Sequence, residues 1–80
     1  MKITILFFGI TTDLVGESSV SFSIKDNTSI KDLKENLKNE FPNLKNINDF
    51  AIAANEEYAT DDLFLKEGDV VAIIPPVSGG

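Results

Sequence analysis

The two most apolar stretches of this chain lie at its opposite ends, and that placement constrains the fold more than any other feature. Met1 to Phe8 is rich in β-branched and aromatic residues, with Ile3, Ile5 and Phe7 on one face of a strand and Thr4, Leu6 and Phe8 on the other. Both faces read as largely apolar. Val70-Val71-Ala72-Ile73-Ile74 has no polar residue, as expected of a central strand covered on both faces. Eighty residues are too few for more than one domain. The two strands therefore enter the same small core, and pairing them at the middle of one sheet buries both.

The segments between them decide the architecture. Gly9 to Ser18 carries Gly9, Thr11, Thr12, Asp13 and Gly16 and reads as a turn or a long hairpin loop. In Ser19 to Lys25, Val20, Phe22 and Ile24 alternate with polar residues, which marks a half-buried strand. Asp26 to Ser29 is a turn cluster in which Thr28 or Ser29 can cap a helix, with Asp32 placed to complete a capping box with Ser29. Ile30, Leu33, Leu37 and Phe41 then recur at helical spacing, and Pro42 ends the helix. Asn43 to Asp49 reads as an irregular or single-turn segment, Phe50 to Ala54 as a short strand, Asn55 to Glu57 as a turn and Tyr58-Ala59 as a brief return strand. Asp61 can cap one helical turn through Leu65, and Lys66 to Asp69 forms the last turn before the final strand. A hairpin, one main helix packed on one face of a mixed sheet, short strands and a final strand make an α+β architecture, the β-grasp or ubiquitin-like fold. The domain is expected over residues 1–74, with residues 75–80 as an extended tail.

Composition excludes much chemistry. The sequence has no His and no Cys, hence no imidazole base, no thiolate nucleophile, no Cys- or His-ligated zinc and no metal centre to expect. A net charge of −6 repels a phosphate backbone and an anionic membrane surface, so neither nucleic acid nor membrane is an expected partner. The field would favour a basic protein surface, although acidity also serves plain solubility. The apolar runs fall short of the roughly 20 residues of a membrane span. Met1-Lys2-Ile3-Thr4 passes straight into a strand pattern without a cleavage site, so a cytoplasmic protein is expected. Glu56-Glu57 and Asp61-Asp62 are carboxylate pairs, but neighbours in a turn face solvent and make poor catalytic or metal sites.

Beyond Ile74 the sequence reads Pro75-Pro76-Val77-Ser78-Gly79-Gly80. A glycine pair at a given place arises by chance about 0.5% of the time, and frayed ends are rich in small residues, so the pair alone leaves both readings open. The functional reading starts from reach: residues 75–80, if extended, span about 20 Å. Pro75 and Pro76 favour an extended path that lowers the entropy lost on capture, and Val77 can anchor in an apolar groove. Gly79 and Gly80 lack a Cβ and can pass through a narrow channel with the terminal carbonyl open to attack. An ionised carboxylate is a poor electrophile, so it needs activation by another protein, for example as a mixed anhydride with AMP. A sulfur nucleophile can then convert it to a thiocarboxylate. The chain holds no thiol and no phosphate-binding Gly-rich loop for those steps; on this reading it would be the carried group and not the catalyst.

Several blocks together resemble a known family. They are Leu6-Phe7-Phe8-Gly9, Leu14-Val15-Gly16, Thr28 to Leu33, Phe41-Pro42-Asn43-Leu44, Asn55 to Tyr58, and Leu65 to Ala72 running into Ile74 to Gly80. The whole chain resembles the MoaD-type family of ubiquitin-like proteins, the small sulfur carrier subunits of molybdopterin synthase. The resemblance implies that Gly80 is adenylated by an E1-like adenylyltransferase using ATP-Mg and converted to a thiocarboxylate with sulfur from a donor protein. It further implies that the tail, Pro75 to Gly80, inserts into the large catalytic subunit and gives sulfur to the pterin precursor. This chain itself would bind no cofactor. The family's partner contacts match Phe8, Tyr58 and Ile74 here, although such residues can also lie under a loop of their own chain. Where the family usually carries an Arg-Glu pair after the first strand, this chain has Thr12-Asp13, a departure that bears on charged contacts from that loop and not on the tail chemistry. The same tail chemistry serves sulfur carriers of thiamine synthesis and transfer RNA thiolation, and a similar end serves protein modifiers.

Overall fold

The computed structural model describes residues 1–46 and 50–75. In chain order these form β1 (Lys2–Phe7), α1 (Ile10–Val15), β2 (Ser19–Ser23), α2 (Ile30–Glu40), a 3-10 turn (Pro42–Asn46), β3 (Ala51–Ala54), β4 (Glu57–Tyr58) and β5 (Val70–Ile74). The five strands make one sheet in the order β2-β1-β5-β3-β4. β1 and β5 pair in parallel, with Thr4 opposite Val70 and Phe7 opposite Ile73, and the other pairings are antiparallel. The end segments of the sequence are thus the middle of the sheet, as their apolar character required. The α+β β-grasp with one main helix is the fold observed.

One face of the sheet holds the core. Ile3, Ile5 and Phe7 of β1, Ile52 of β3 and Val71 and Ile73 of β5 are buried together with Ile30, Leu33 and Leu37 of α2. Phe41 closes the far end, with its ring 5.7 Å from Phe7 in an edge-to-face pair. The helix starts where the sequence placed a cap: Ser29 Oγ accepts from Asp32 N at 3.2 Å, and Asp32 Oδ2 accepts from Ser29 N at 3.5 Å.

Three expectations are corrected. Residues 10–15 are helix α1 and not loop. Ile10-Thr11-Thr12-Asp13-Leu14-Val15 has poor helix propensity, and contacts supply what propensity does not. Gly16, at φ 87°, ends the helix and donates its N–H to Thr12 O at 2.8 Å, while Asn43 Nδ2 donates to Leu14 O at 3.2 Å. Leu14 and Val15 pack against the core.

Asp61 to Leu65 is not a helical turn. Leu63 O accepts from Ile30 N at 2.9 Å and Asp61 O from Lys31 N at 3.0 Å, so this segment satisfies the unpaired N–H groups of the first turn of α2. Carbonyls turned toward another helix cannot also close a helix of their own. Phe64 pairs with Ser29 in an isolated bridge.

The central strands are not covered on both faces. In β5, Val71 and Ile73 are buried, but Ala72 and Ile74 are half-buried and Val70 is 41% exposed. In β1, Lys2 and Thr4 are exposed. Helices α1 and α2 both pack against the core side of the sheet, and among the described residues no helix covers the other side.

Candidate functional site

The open face has a polar half and an apolar half. Register places Ser19, Leu6, Ala72, Ala53 and Tyr58 in one row across all five strands, because paired residues share a face. One step toward the end of β5, Ile74 lies opposite Ala51. In the opposite direction the rows carry Ser21, Thr4 and Val70, then Ser23 and Lys2, so that half is mainly polar apart from Val70. Parallel pairing brings the C-terminal ends of β1 and β5 to the same edge. The apolar half is therefore the half at which β5 ends and Pro75 begins.

Phe8 follows β1 at that end and is 50% exposed, while Tyr58 on the edge strand is 76% exposed. Ile74 is half-buried. Ala72 and Ala53 stand between Leu6 and Tyr58 in the same row, so small side chains form a floor between two larger ones. The expected contact residues Phe8 and Ile74 thus share one end of the central strand pair, with Tyr58 across the alanine floor. None of the three lies under a loop to the extent of being buried. The alanines were missed in the sequence because a methyl group gives no signal until the register is known. Exposed apolar groups gathered on one face are the mark of a protein contact surface.

Pro75 is half-buried, and its ring stands beside the position that a Cβ on Gly9 would occupy. Pro76, Val77, Ser78, Gly79 and Gly80, on which the tail chemistry was expected, lie outside the described residues. All four residues of the carboxylate pairs are exposed, but Glu57, expected in a turn, opens strand β4, and two of the four have other partners. Asp61 pairs with Lys34 Nζ at 2.9 Å, and Asp62 Oδ1 accepts from Thr60 Oγ1 at 2.6 Å. Among the described residues no group of three or more acidic side chains is placed to hold a metal ion. No helix among them is long and apolar enough to cross a membrane.

Comparison with known proteins decides the family. Residues 5–80 match the ThiS family. The chain belongs to that family. A Chlamydomonas reinhardtii protein named molybdopterin synthase sulfur carrier subunit is 35% identical over 83 aligned positions, which cover 100% of both chains. Among solved structures, a chain in the Helicobacter pylori complex of subunits 1 and 2 of molybdopterin-converting factor superimposes with a TM-score of 0.70 at 30% identity, covering 100% of each chain. The fold is closer still to that of SAMP1 from Haloferax volcanii, with a TM-score of 0.86, 22% identity and complete coverage of both. This ThiS-family chain thus presents an apolar half-face that adjoins Pro75 at the end of β5.

Proposed function

We propose that this chain is the sulfur carrier subunit of a molybdopterin synthase. The full-length similarity to proteins of that name carries the reading, and the placement of the apolar half-face beside Pro75 supports it. Phe8, Tyr58 and Ile74 meet the large catalytic subunit, and Pro75, Pro76, Val77, Ser78 and Gly79 carry Gly80 into it. Apolar contact fits this division because the body then contributes affinity without needing a charged partner at each position.

The chemistry resides at Gly80. Its carboxylate oxygen attacks the α-phosphorus of ATP on an E1-like enzyme, with Mg²⁺ on the phosphates, and pyrophosphate leaves. A persulfide sulfur on a donor protein then adds to the acyl carbon and expels AMP, and a thiol of the sulfur-donor system cleaves the resulting acyl disulfide, leaving the thiocarboxylate on Gly80 and a disulfide on the donor side. Within the synthase the thiocarboxylate sulfur bonds to the pterin precursor, and water then cleaves the acyl–sulfur bond, so the sulfur stays on the precursor and Gly80 returns to a carboxylate. The chain binds no cofactor through these steps, and they belong to the cytoplasm, where ATP and the activating enzyme meet it. Glycine at the last two positions keeps the acyl carbon free of side-chain obstruction.

Intact-mass measurement tests this directly. The chain is incubated with an E1-like enzyme, Mg-ATP and a sulfur donor, and then with the large subunit and the precursor. The expected result is a mass gain of one sulfur in place of one oxygen, lost again as dithiolene product forms. No gain overturns the carrier reading. A gain that is spent on a thiamine intermediate or a transfer RNA, but not on the pterin, moves the chain to another sulfur pathway.

A further inference from the structure

The end of β1 and the base of the tail meet at a position where an L side chain is both strained and crowded. Gly9 adopts φ 56° and ψ −135°, a conformation that glycine reaches freely and residues with a Cβ do not. A Cβ there would stand 3.1 Å from Pro75 Cγ and 3.9 Å from its Cδ, the first well inside ordinary carbon–carbon contact. The corner that carries Gly9 is held tightly by its own neighbours. Thr11 Oγ1 accepts from Phe8 N at 3.0 Å and donates to Phe8 O, and Thr12 Oγ1 donates to Phe7 O at 3.0 Å. Thr12 N donates to Gly9 O at 3.1 Å, and Thr11 is wholly buried. The threonines that make this sequence a poor helix therefore brace the corner against which Pro75 lies.

We infer that Gly9 is a positioning residue for sulfur transfer: its bare backbone is a fitted rest for the Pro75 ring, and it holds the start of the tail in register with the docking end at Phe8. The inference rests on the carrier reading above. Docking places the body; the rest places the tail relative to the body. A reacting group displaced by about 1 Å can lose on the order of a hundredfold in rate, so a small shift at Pro75 matters at the terminus it carries. A side chain at position 9 disturbs this registration without removing any docking group.

The test uses full chains made by chemical synthesis with Gly80 already a thiocarboxylate, so that no activating enzyme is needed. The unsubstituted chain is compared with Gly9→Ala, Gly9→D-Ala, Pro75→Gly and the Gly9→Ala/Pro75→Gly double variant. D-alanine accepts the native backbone, since the mirror image of φ 56°, ψ −135° is ordinary extended space, and its methyl points to the side opposite Pro75. Affinity for the large subunit and the single-turnover rate at saturation are measured separately, and thermal unfolding reports the fold. Gly9→Ala is expected to lower the saturated rate by about tenfold or more, to change affinity by less than about threefold, and to be rescued by D-alanine. In the Pro75→Gly background it should cost little further.

Equal losses in both backgrounds, a loss confined to affinity, or an unfolded D-alanine chain would each overturn the inference. Proton contacts between Gly9 Hα and the Pro75 ring, read by nuclear Overhauser spectroscopy on the free chain, give an independent measure. They are expected in the unsubstituted and D-alanine chains, and their absence from the unsubstituted chain also overturns it. An unsubstituted chain that shows the contact yet gives no sulfur to the precursor overturns the carrier reading and the transfer role with it, and leaves the Gly9–Pro75 rest standing on the spectroscopic result.

Discussion

Asn55 Nδ2 donates to Asp69 Oδ1 at 3.0 Å and so ties the tip of the β3–β4 hairpin to the turn that launches β5. The same side chain accepts from Val70 N at 3.0 Å through Oδ1, while Asn55 N donates to Val70 O at 2.8 Å. Asp69 Oδ2 in turn accepts from Lys66 N at 2.8 Å. Asn55 at φ 50° and Glu56 at φ 74° both lie in left-handed space, as a two-residue hairpin of the primed kind requires. Asn55→Ala removes both side-chain bonds and places a Cβ residue that tolerates this φ less well than Asn, so it should cost about 1–3 kcal/mol. Glu56→Gly should stabilise by about 0.5 kcal/mol, because the strain relieved slightly exceeds the added chain entropy. Urea unfolding of the two variants checks both signs.

The cap of α2 makes a narrower prediction. Ser29→Ala removes the acceptor for Asp32 N and leaves the backbone bonds from Ile30 and Lys31 to Leu63 and Asp61 intact. A loss of about 1 kcal/mol follows, which in a domain of this size lowers the melting temperature by roughly 4–8 °C. Calorimetry of the single variant measures it. A loss near zero would mean that the carbonyls of the 61–65 segment hold the helix start without the box.

The cap and the stripe Ile30, Leu33 and Leu37 were legible in the sequence because each depends on neighbours a few residues away. The pairing of β1 with β5 was legible for a different reason: two apolar segments in so short a chain have one core to share. Helix α1 was not legible, since its bonds to Phe7, Phe8 and Asn43 and its packing on the core outweigh the low propensity of Ile10 to Val15. The 61–65 segment misled because Asp61 resembles a helix cap, and nothing local shows that its carbonyl is committed to Lys31. At the candidate site, Phe8, Tyr58 and Ile74 were identified by resemblance, with parity placing Phe8 on the face away from Ile3, Ile5 and Phe7. The alanine floor at Ala53 and Ala72 and the fit of Gly9 to Pro75 exist only once strands distant in sequence are in register.

The open face should respond to charge without affecting folding. Phe8 and Tyr58 contribute little to the core, being 50% and 76% exposed, so Phe8→Glu and Tyr58→Glu should each change stability by no more than about 0.5 kcal/mol. In an apolar contact, a buried and unpaired carboxylate should weaken binding to the large subunit by about 2 kcal/mol or more, roughly thirtyfold. Calorimetric titration against the large subunit, beside a melting curve, separates the two quantities. Undiminished affinity in both variants would place the contact on another face.

Body and tail can be tested as separable parts by pairing one substitution in each. Leu33 is wholly buried between α2 and the sheet, and Leu33→Ala should cost about 2–5 kcal/mol through lost contacts and the cavity left behind. Against a total stability of about 5–15 kcal/mol, that is enough to lower the melting point steeply. Any molecules still folded should nonetheless accept and pass on sulfur at the normal rate, since the tail is unaltered. Deleting Gly80 should do the reverse, leaving the melting temperature within error because the core among the described residues ends at Ile73, while abolishing transfer. Intact mass after activation and a melting curve on each protein check the four outcomes. If the Gly80 deletion melts early, the terminus contributes to the body, and the division between a stable domain and a reactive end fails.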